Sequence, residues 1–231
     1  MSELTAGIGQ GWVYVWYAVV FTLLVTVLEP RGLAGQMGEF RGYLFYFTAF
    51  FALLLALPVL RVVLSAPDPA AQLAAWGLTA GRLRTGLLTL AAAVPIVAGI
   101  LFFAARDPHV AATYPFARGA LASSGRFLRY ELAYLLLYYT AWEFCFRGVL
   151  FLPLVPAVGL VPALGIQTAL STVYHIGHPR SEILLSLGGG LLLGVVAYLT
   201  GSVLYATLMH AAVGIGVDCI QWRRSRPIIL A

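Results

Sequence analysis

Apolar residues run in blocks of roughly 20 along most of this chain, separated by short stretches rich in arginine, proline and glycine. A block of that length crosses the hydrocarbon core of a bilayer as an α-helix. We read seven such spans, at about 12–28, 43–64, 87–105, 128–152, 160–176, 183–199 and 202–220. Thr200 and Gly201 alone join the last two, which predicts a tight turn. Pro153, Pro156 and Pro162 punctuate the link between the fourth and fifth spans. Pro179 is expected to end the fifth, because proline lacks an amide hydrogen and clashes with the preceding turn. Residues 67–81 are less apolar and include Trp76; they read either as a short interfacial helix or as a plain loop. Residues 106–126 form the other long connection. There is no internal repeat and no low-complexity tract. The expectation is an all-α fold, a polytopic transmembrane helical bundle forming a single membrane domain over 1–231. Residues 1–127 read as scaffold spans and loops, and 221–231 as a basic tail.

Composition agrees: 61% of residues are hydrophobic and 10% charged, against about half and a quarter in soluble domains. The net charge of +5 comes from 14 basic residues, all arginine. They sit between apolar segments, so the charge reads as orientation bias and not as nucleic-acid binding. With connections on alternate sides, Arg31, Arg41, Arg106, Arg118, Arg126, Arg129, Arg180 and the tail group together. Arg61, Arg82 and Arg84 fall opposite. The positive-inside rule then puts the N-terminus outside and the C-terminus in the cytoplasm. All-arginine basicity points to a GC-rich bacterial genome, and so to a bacterial inner (cytoplasmic) membrane. The N-terminus has no basic n-region, so the first apolar block reads as a retained span and not as a cleaved signal. Cys145 and Cys219 both lie in apolar segments and predict no disulfide framework. Cys145 sits beside Glu143, yet a buried structural thiol is the better reading.

Charged and polar residues at bilayer depth are costly and face a partner or a water-filled cavity. Three polar islands stand out: Trp-Glu-Phe-Cys-Phe-Arg-Gly at 142–148, Tyr-His-Ile-Gly-His-Pro at 174–179, and Met-His-Ala-Ala-Val-Gly at 209–214. Glu143 and Arg147, four apart, share a helix face. Either burial and the arginine tune Glu143 into a general base, or the two form a structural ion pair. His175 is the better active-site candidate of its island; His178, next to Pro179, is discounted as interfacial. His210 sits mid-span, where it either stabilises an oxyanion or simply bonds a neighbouring helix. Asp218, two turns on, either supports His210 or is an exposed helix-end charge.

The order Glu-xxx-Arg-Gly, then a histidine one helix later, then another two helices after that, resembles the CPBP family. These are the CAAX-protease and bacteriocin-processing intramembrane endopeptidases, with the pattern Glu-Glu-xxx-Arg, Phe-xxx-His, His-xxx-Asn/Asp. The resemblance covers about 128–220, the family's four-helix catalytic core. Tyr130–Glu131, the 142–148 box, the stretch from His175 to Glu182 and the Thr-Gly-Ser turn at 200–202 resemble a bacterial subgroup related to myxosortases. The resemblance implies a metal-free, cofactor-free endopeptidase in which a glutamate and a histidine activate water and the last histidine stabilises the oxyanion. Carried over, Glu143, Arg147, His175 and His210 are the catalytic set, with Asp218, Trp142, Glu182 and Glu131 in support.

Three positions depart from the pattern. Trp142 occupies the first Glu position, Ser171 the Phe position and Gly214 the Asn/Asp position. Glu131 is a poor substitute for the missing Glu, since twelve helical residues span about 18 Å. The implied substrate is a membrane-anchored or C-terminally tailed protein or peptide, and the lipid bilayer is the other partner. Three other readings use the same residues. One is a zinc site of two histidines and a glutamate, though no His-Glu-x-x-His motif is present. Another is a non-catalytic peptide-binding or immunity protein. The third is a transporter with a proton relay, though no inverted repeat is evident.

Overall fold

The structure is a computed structural model, and it describes residues 2–226; the last five residues of the basic tail lie outside them. The helices, in chain order, are α1 (Ser2–Thr26), α2 (Pro30–Met37) and α3 (Glu39–Phe51), which continues through a π turn (Ala52–Ala56) into α4 (Leu57–Ser65). Then follow α5 (Pro69–Ala75), α6 (Leu83–Ala104), α7 (Pro108–Thr113) and α8 (Ser124–Ala133). From α8 one helical rod runs on through a π turn (Tyr134–Tyr139), α9 (Thr140–Glu143) and a second π turn (Phe144–Val149). The chain closes with α10 (Val155–Val158), α11 (Leu160–Val173), α12 (Arg180–Thr200) and α13 (Leu204–Ser225). Among the described residues there is no strand.

All seven apolar blocks are mainly helical. Among the described residues four helices are long and apolar enough to cross a membrane: Glu39–Ser65, Leu83–Ala104, Arg180–Thr200 and Leu204–Ser225. A fifth span results if Gly11–Thr26 and Pro30–Met37, bent by 49°, are taken together. The sequence count of seven exceeds this because tyrosines, Glu143 and Arg147 dilute the apolar character of the fourth block and the fifth is short. That fifth block ends as helix at Val173, not at Pro179. Gly177, at a φ of +101°, helps turn the chain from Tyr174 to Pro179, so an apolar-looking stretch is a loop. Pro162 lies in the first turn of α11, not before it.

Residues 67–81 are a packed element. Asp68 caps α5 by accepting from the Ala71 amide, which satisfies a free donor of the first turn. Trp76 is buried rather than interfacial. Past it, the Gly77 carbonyl accepts from the Val203 amide and the Thr200 carbonyl from the Arg82 amide. Ser202 Oγ donates to the Thr79 carbonyl, and Tyr205 Oη to that of Ala80 at 2.8 Å. This loop therefore clamps the α12–α13 turn, where Gly201 adopts the left-handed conformation that glycine tolerates. Trp76 also presses its carbonyl against the helical rod: a Cβ at Gly148 would lie 2.6 Å from that oxygen.

The core is aromatic. Phe47, Phe50, Tyr130, Tyr134, Tyr138 and Trp142 stack in one cluster that holds α3 against the rod. On the other side of the rod, α13 packs against α9 and the first π turn. Helices α6, α12 and α13 pack on one another.

Candidate active site

Glu143 ends α9, Arg147 lies in the second π turn, His175 follows α11 and His210 is mid-way along α13. Packing of the rod against α11 and α13 brings all four together. Glu143 is fully buried. Its Oε1 accepts a hydrogen bond from His210 Nδ1 at 2.6 Å, and its Oε2 lies 3.2 Å from Arg147 Nε. The second contact is an ion pair whose geometry falls short of a hydrogen bond, since Glu143 Oε2 and Arg147 Nε and Nη1 have no hydrogen-bond partner. In a dry interior an isolated carboxylate would be prohibitive, and the guanidinium compensates it.

The tautomers of both histidines follow from their partners. His175 Nδ1 lies 2.8 Å from the Ser171 carbonyl, which can only accept. His210 Nδ1 faces a carboxylate, which also accepts. Each neutral ring thus carries its hydrogen on Nδ1 and keeps a lone pair on Nε2. The two rings, with Trp142 and Tyr139, line a small polar cleft of about 30 Å³, room enough for one water. Trp142 packs edge-on against both imidazoles, 5.1 Å from His175 and 6.0 Å from His210. Its indole N–H is buried without a partner.

Beside the cleft lies a larger, mainly apolar cavity of about 570 Å³ between α6, α12 and α13. It extends from Ala93 and Leu193 to Asp107 and Tyr114, and Arg147, His175, His210 and Gly214 line its wall. A volume of this order suits a small ligand or a short side-chain-bearing segment.

A second polar group stands at the cavity's end. Glu182 Oε1 accepts from Tyr114 Oη at 2.6 Å and from His178 Nδ1 at 2.7 Å. Burial pushes the Tyr114 phenol well above its ordinary pKa, so it donates as a neutral hydroxyl. Below it, Ser181 Oγ donates to Asp107. That bond, with the His109 and Val110 amides, holds the Asp107 carboxyl below its usual range. These contacts fasten the loop from α6 to α8 onto the start of α12. His178, discounted from the sequence, is thus part of the site's rim, its ring 5.6 Å from that of His175.

Two acidic residues lie apart. Asp218 is not an exposed helix-end charge; it is wholly buried and neighbours Glu131. Each interacts with the other through its carboxyl group. Asp218 thus supports the α8–α13 contact, away from His210. Cys145 is a buried free thiol.

Tyr139 and Tyr114 were not singled out from the sequence. Tyr139 is one of four tyrosines between 130 and 139, a run that reads as aromatic core. Its ring lies 4.8 Å from His210.

Residues 125–215 match the family described as Rce1-like, type II CAAX prenyl endopeptidase Rce1-like. The match contains Glu143, Arg147, His175 and His210, and agrees with the resemblance to the CPBP family. Nothing among curated proteins and nothing among solved structures matches the chain.

Proposed function

We propose that this integral membrane protein, whose residues 125–215 match the Rce1-like family model, hydrolyses a peptide bond within the membrane through a glutamate–histidine pair. The observation that carries this reading is the buried Glu143 Oε1–His210 Nδ1 hydrogen bond of 2.6 Å, at the edge of a water-sized cleft. Both oxygens of Glu143 are engaged, so Glu143 acts through His210. Its charge fixes the ring and stabilises the imidazolium that forms, as a triad carboxylate does.

In this mechanism one water occupies the cleft. It donates one hydrogen to His210 Nε2 and the other to His175 Nε2, and accepts from the Trp142 indole N–H. The remaining lone pair attacks a carbonyl carbon presented from the large cavity. The water proton passes to His210 Nε2 as the C–O bond forms. When the tetrahedral intermediate collapses, the C–N bond breaks and His210 returns that proton to the leaving amine. Arg147 compensates the Glu143 charge from 3.2 Å. Trp142 makes up for the absent first glutamate by closing the cleft and orienting the water.

The substrate is a membrane-anchored or C-terminally tailed protein, in keeping with the myxosortase-like features at 142–148 and 175–182. The test is cleavage of a panel of tailed peptides by reconstituted protein, read by mass spectrometry. Glu143→Gln, which keeps the shape and removes the charge, is expected to lower kcat by about 10²–10⁴. Undiminished cleavage by this variant would sink the assignment.

A further inference from the structure

Gly214 stands one turn beyond His210 on α13, and its missing side chain is matched by a neighbour. A Cβ built there would overlap the Tyr139 hydroxyl, with the ring carbon that bears it 2.8 Å away. The phenol oxygen therefore fills the place where a residue at 214 would begin its side chain. Tyr139 is buried, with 3% of its surface exposed, and it lines both the small polar cleft and the large cavity. Its ring leans on His210 at 4.8 Å and 60° and on Tyr134 at 4.4 Å. The hydroxyl carries one hydrogen that it can donate.

We propose that the Tyr139 hydroxyl is a catalytic group that donates to the oxyanion, and that Gly214 is glycine because it makes room for that hydroxyl. The assignment rests on the peptidase reading above. As the oxygen of water adds to the carbonyl carbon, the π electrons move onto the carbonyl oxygen. The Tyr139 O–H donates a hydrogen bond to that oxygen without giving up its proton. The charge returns to the C=O bond when the C–N bond breaks. A donor between cavity and cleft, in a site lined by apolar walls, is worth more than the same donor in water. His210, committed to proton transfer, then need not serve as the oxyanion donor. The tyrosine lies at the end of the first π turn, where the Thr140 hydroxyl donates to the Leu135 carbonyl five residues back. Extra residues of this kind are frequent at functional sites because they re-aim side chains.

The experiment compares wild type with Tyr139→Phe, which deletes one oxygen and keeps the ring on His210. Cleavage kinetics and binding of a phosphonamidate peptide, a tetrahedral-intermediate analogue, are measured on both. The expected result is a kcat lower by about 10²–10³, an almost unchanged KM, and a matching loss of phosphonamidate affinity. Gly214→Ala, which forces the hydroxyl away, should show the same pattern, and the double variant should be no worse than Tyr139→Phe alone. Wild-type cleavage with Tyr139→Phe equally fast overturns this inference and leaves the peptidase reading standing. A kcat loss with phosphonamidate affinity intact also overturns it, because the tyrosine would then act by packing. Wild type that cleaves no peptide while binding it overturns the peptidase reading and this inference together.

Discussion

At the scale of single residues, the site rests on one compensated charge. Glu143 and Arg147 are both buried, so each depends on the other for solvation. Arg147→Met leaves the carboxylate facing only His210. Breaking such a buried pair costs about 3–5 kcal/mol, and thermal unfolding in detergent should show a corresponding drop. Glu143→Gln with Arg147→Met removes both charges, and most of the lost stability should return without any activity. If the single Arg147→Met variant is as stable as wild type, the pair contributes no more than an exposed salt bridge. These two residues, with His175 and His210, were legible in the sequence because polar side chains interrupt apolar blocks there and nothing else in the blocks explains them. Tyr139 was illegible for the opposite reason. A tyrosine among tyrosines carries no signal until another helix places Gly214 over its hydroxyl. The burial of Asp218 was illegible because its neighbour Glu131 lies on a helix far away in the chain.

At the scale of elements, the determining features are those that depart from helical periodicity. The π turns at Tyr134–Tyr139 and Phe144–Val149 flank Glu143 and shift the residues beyond them relative to a regular helix. A 3.6-residue period could place Glu143 and Arg147 on one face, but not say which helices that face meets. Short contacts between elements are equally hidden. Gly148 lies under the Trp76 carbonyl, so Gly148→Val should push the 76–82 loop off the rod. Overpacking of this kind costs about 1–3 kcal/mol, and a lower unfolding temperature with slower cleavage is the expected outcome. Wild-type stability in this variant would mean that the loop yields freely. The Asp107–Ser181 bond gives a pH signature outside the membrane. Its carboxyl titrates below the usual range in the folded state. The bond's contribution to stability is thus fully present above the unfolded value of about 3.9 and is lost as pH falls through the lowered folded value. Wild type should therefore unfold at a higher temperature than Asp107→Asn near neutral pH, and the gap should begin to narrow below about pH 4 and close below the lowered folded value. A gap that stays constant into acid would mean that Asp107 is not the group responsible.

At the scale of the whole molecule, contacts place Arg126, Arg224 and Arg226 at one end of the bundle and Arg61 and Arg82 at the other, as the sequence grouped them. Arg126 lies over Phe40 and Arg224 donates to the Ala105 carbonyl. Arg226 donates to Ser124, and Glu39 accepts from the Gly119 amide. The α2–α3 corner, the α6–α8 loop and the end of α13 thus share one end of the bundle. At the other, Arg82 donates to the Leu199 carbonyl beside the α12–α13 turn, and Arg61 lies over Trp12. This partition was legible because alternation of connections depends on how many times the rod and its neighbours cross, not on how straight each crossing is. The large cavity runs toward the arginine-rich end, where Asp107 and Ser181 line it. The positive-inside rule predicts that this end is cytoplasmic, so that a substrate tail would enter from the cytoplasmic side. Single cysteines test this in a Cys219→Ser background, since Cys145 is buried. A membrane-impermeant maleimide should label Ala80→Cys in intact spheroplasts and Gly125→Cys only after permeabilisation; both positions are exposed. The reverse pattern would turn the bundle over. The cavity would then take substrates from the outer face, which suits tailed proteins cleaved after export.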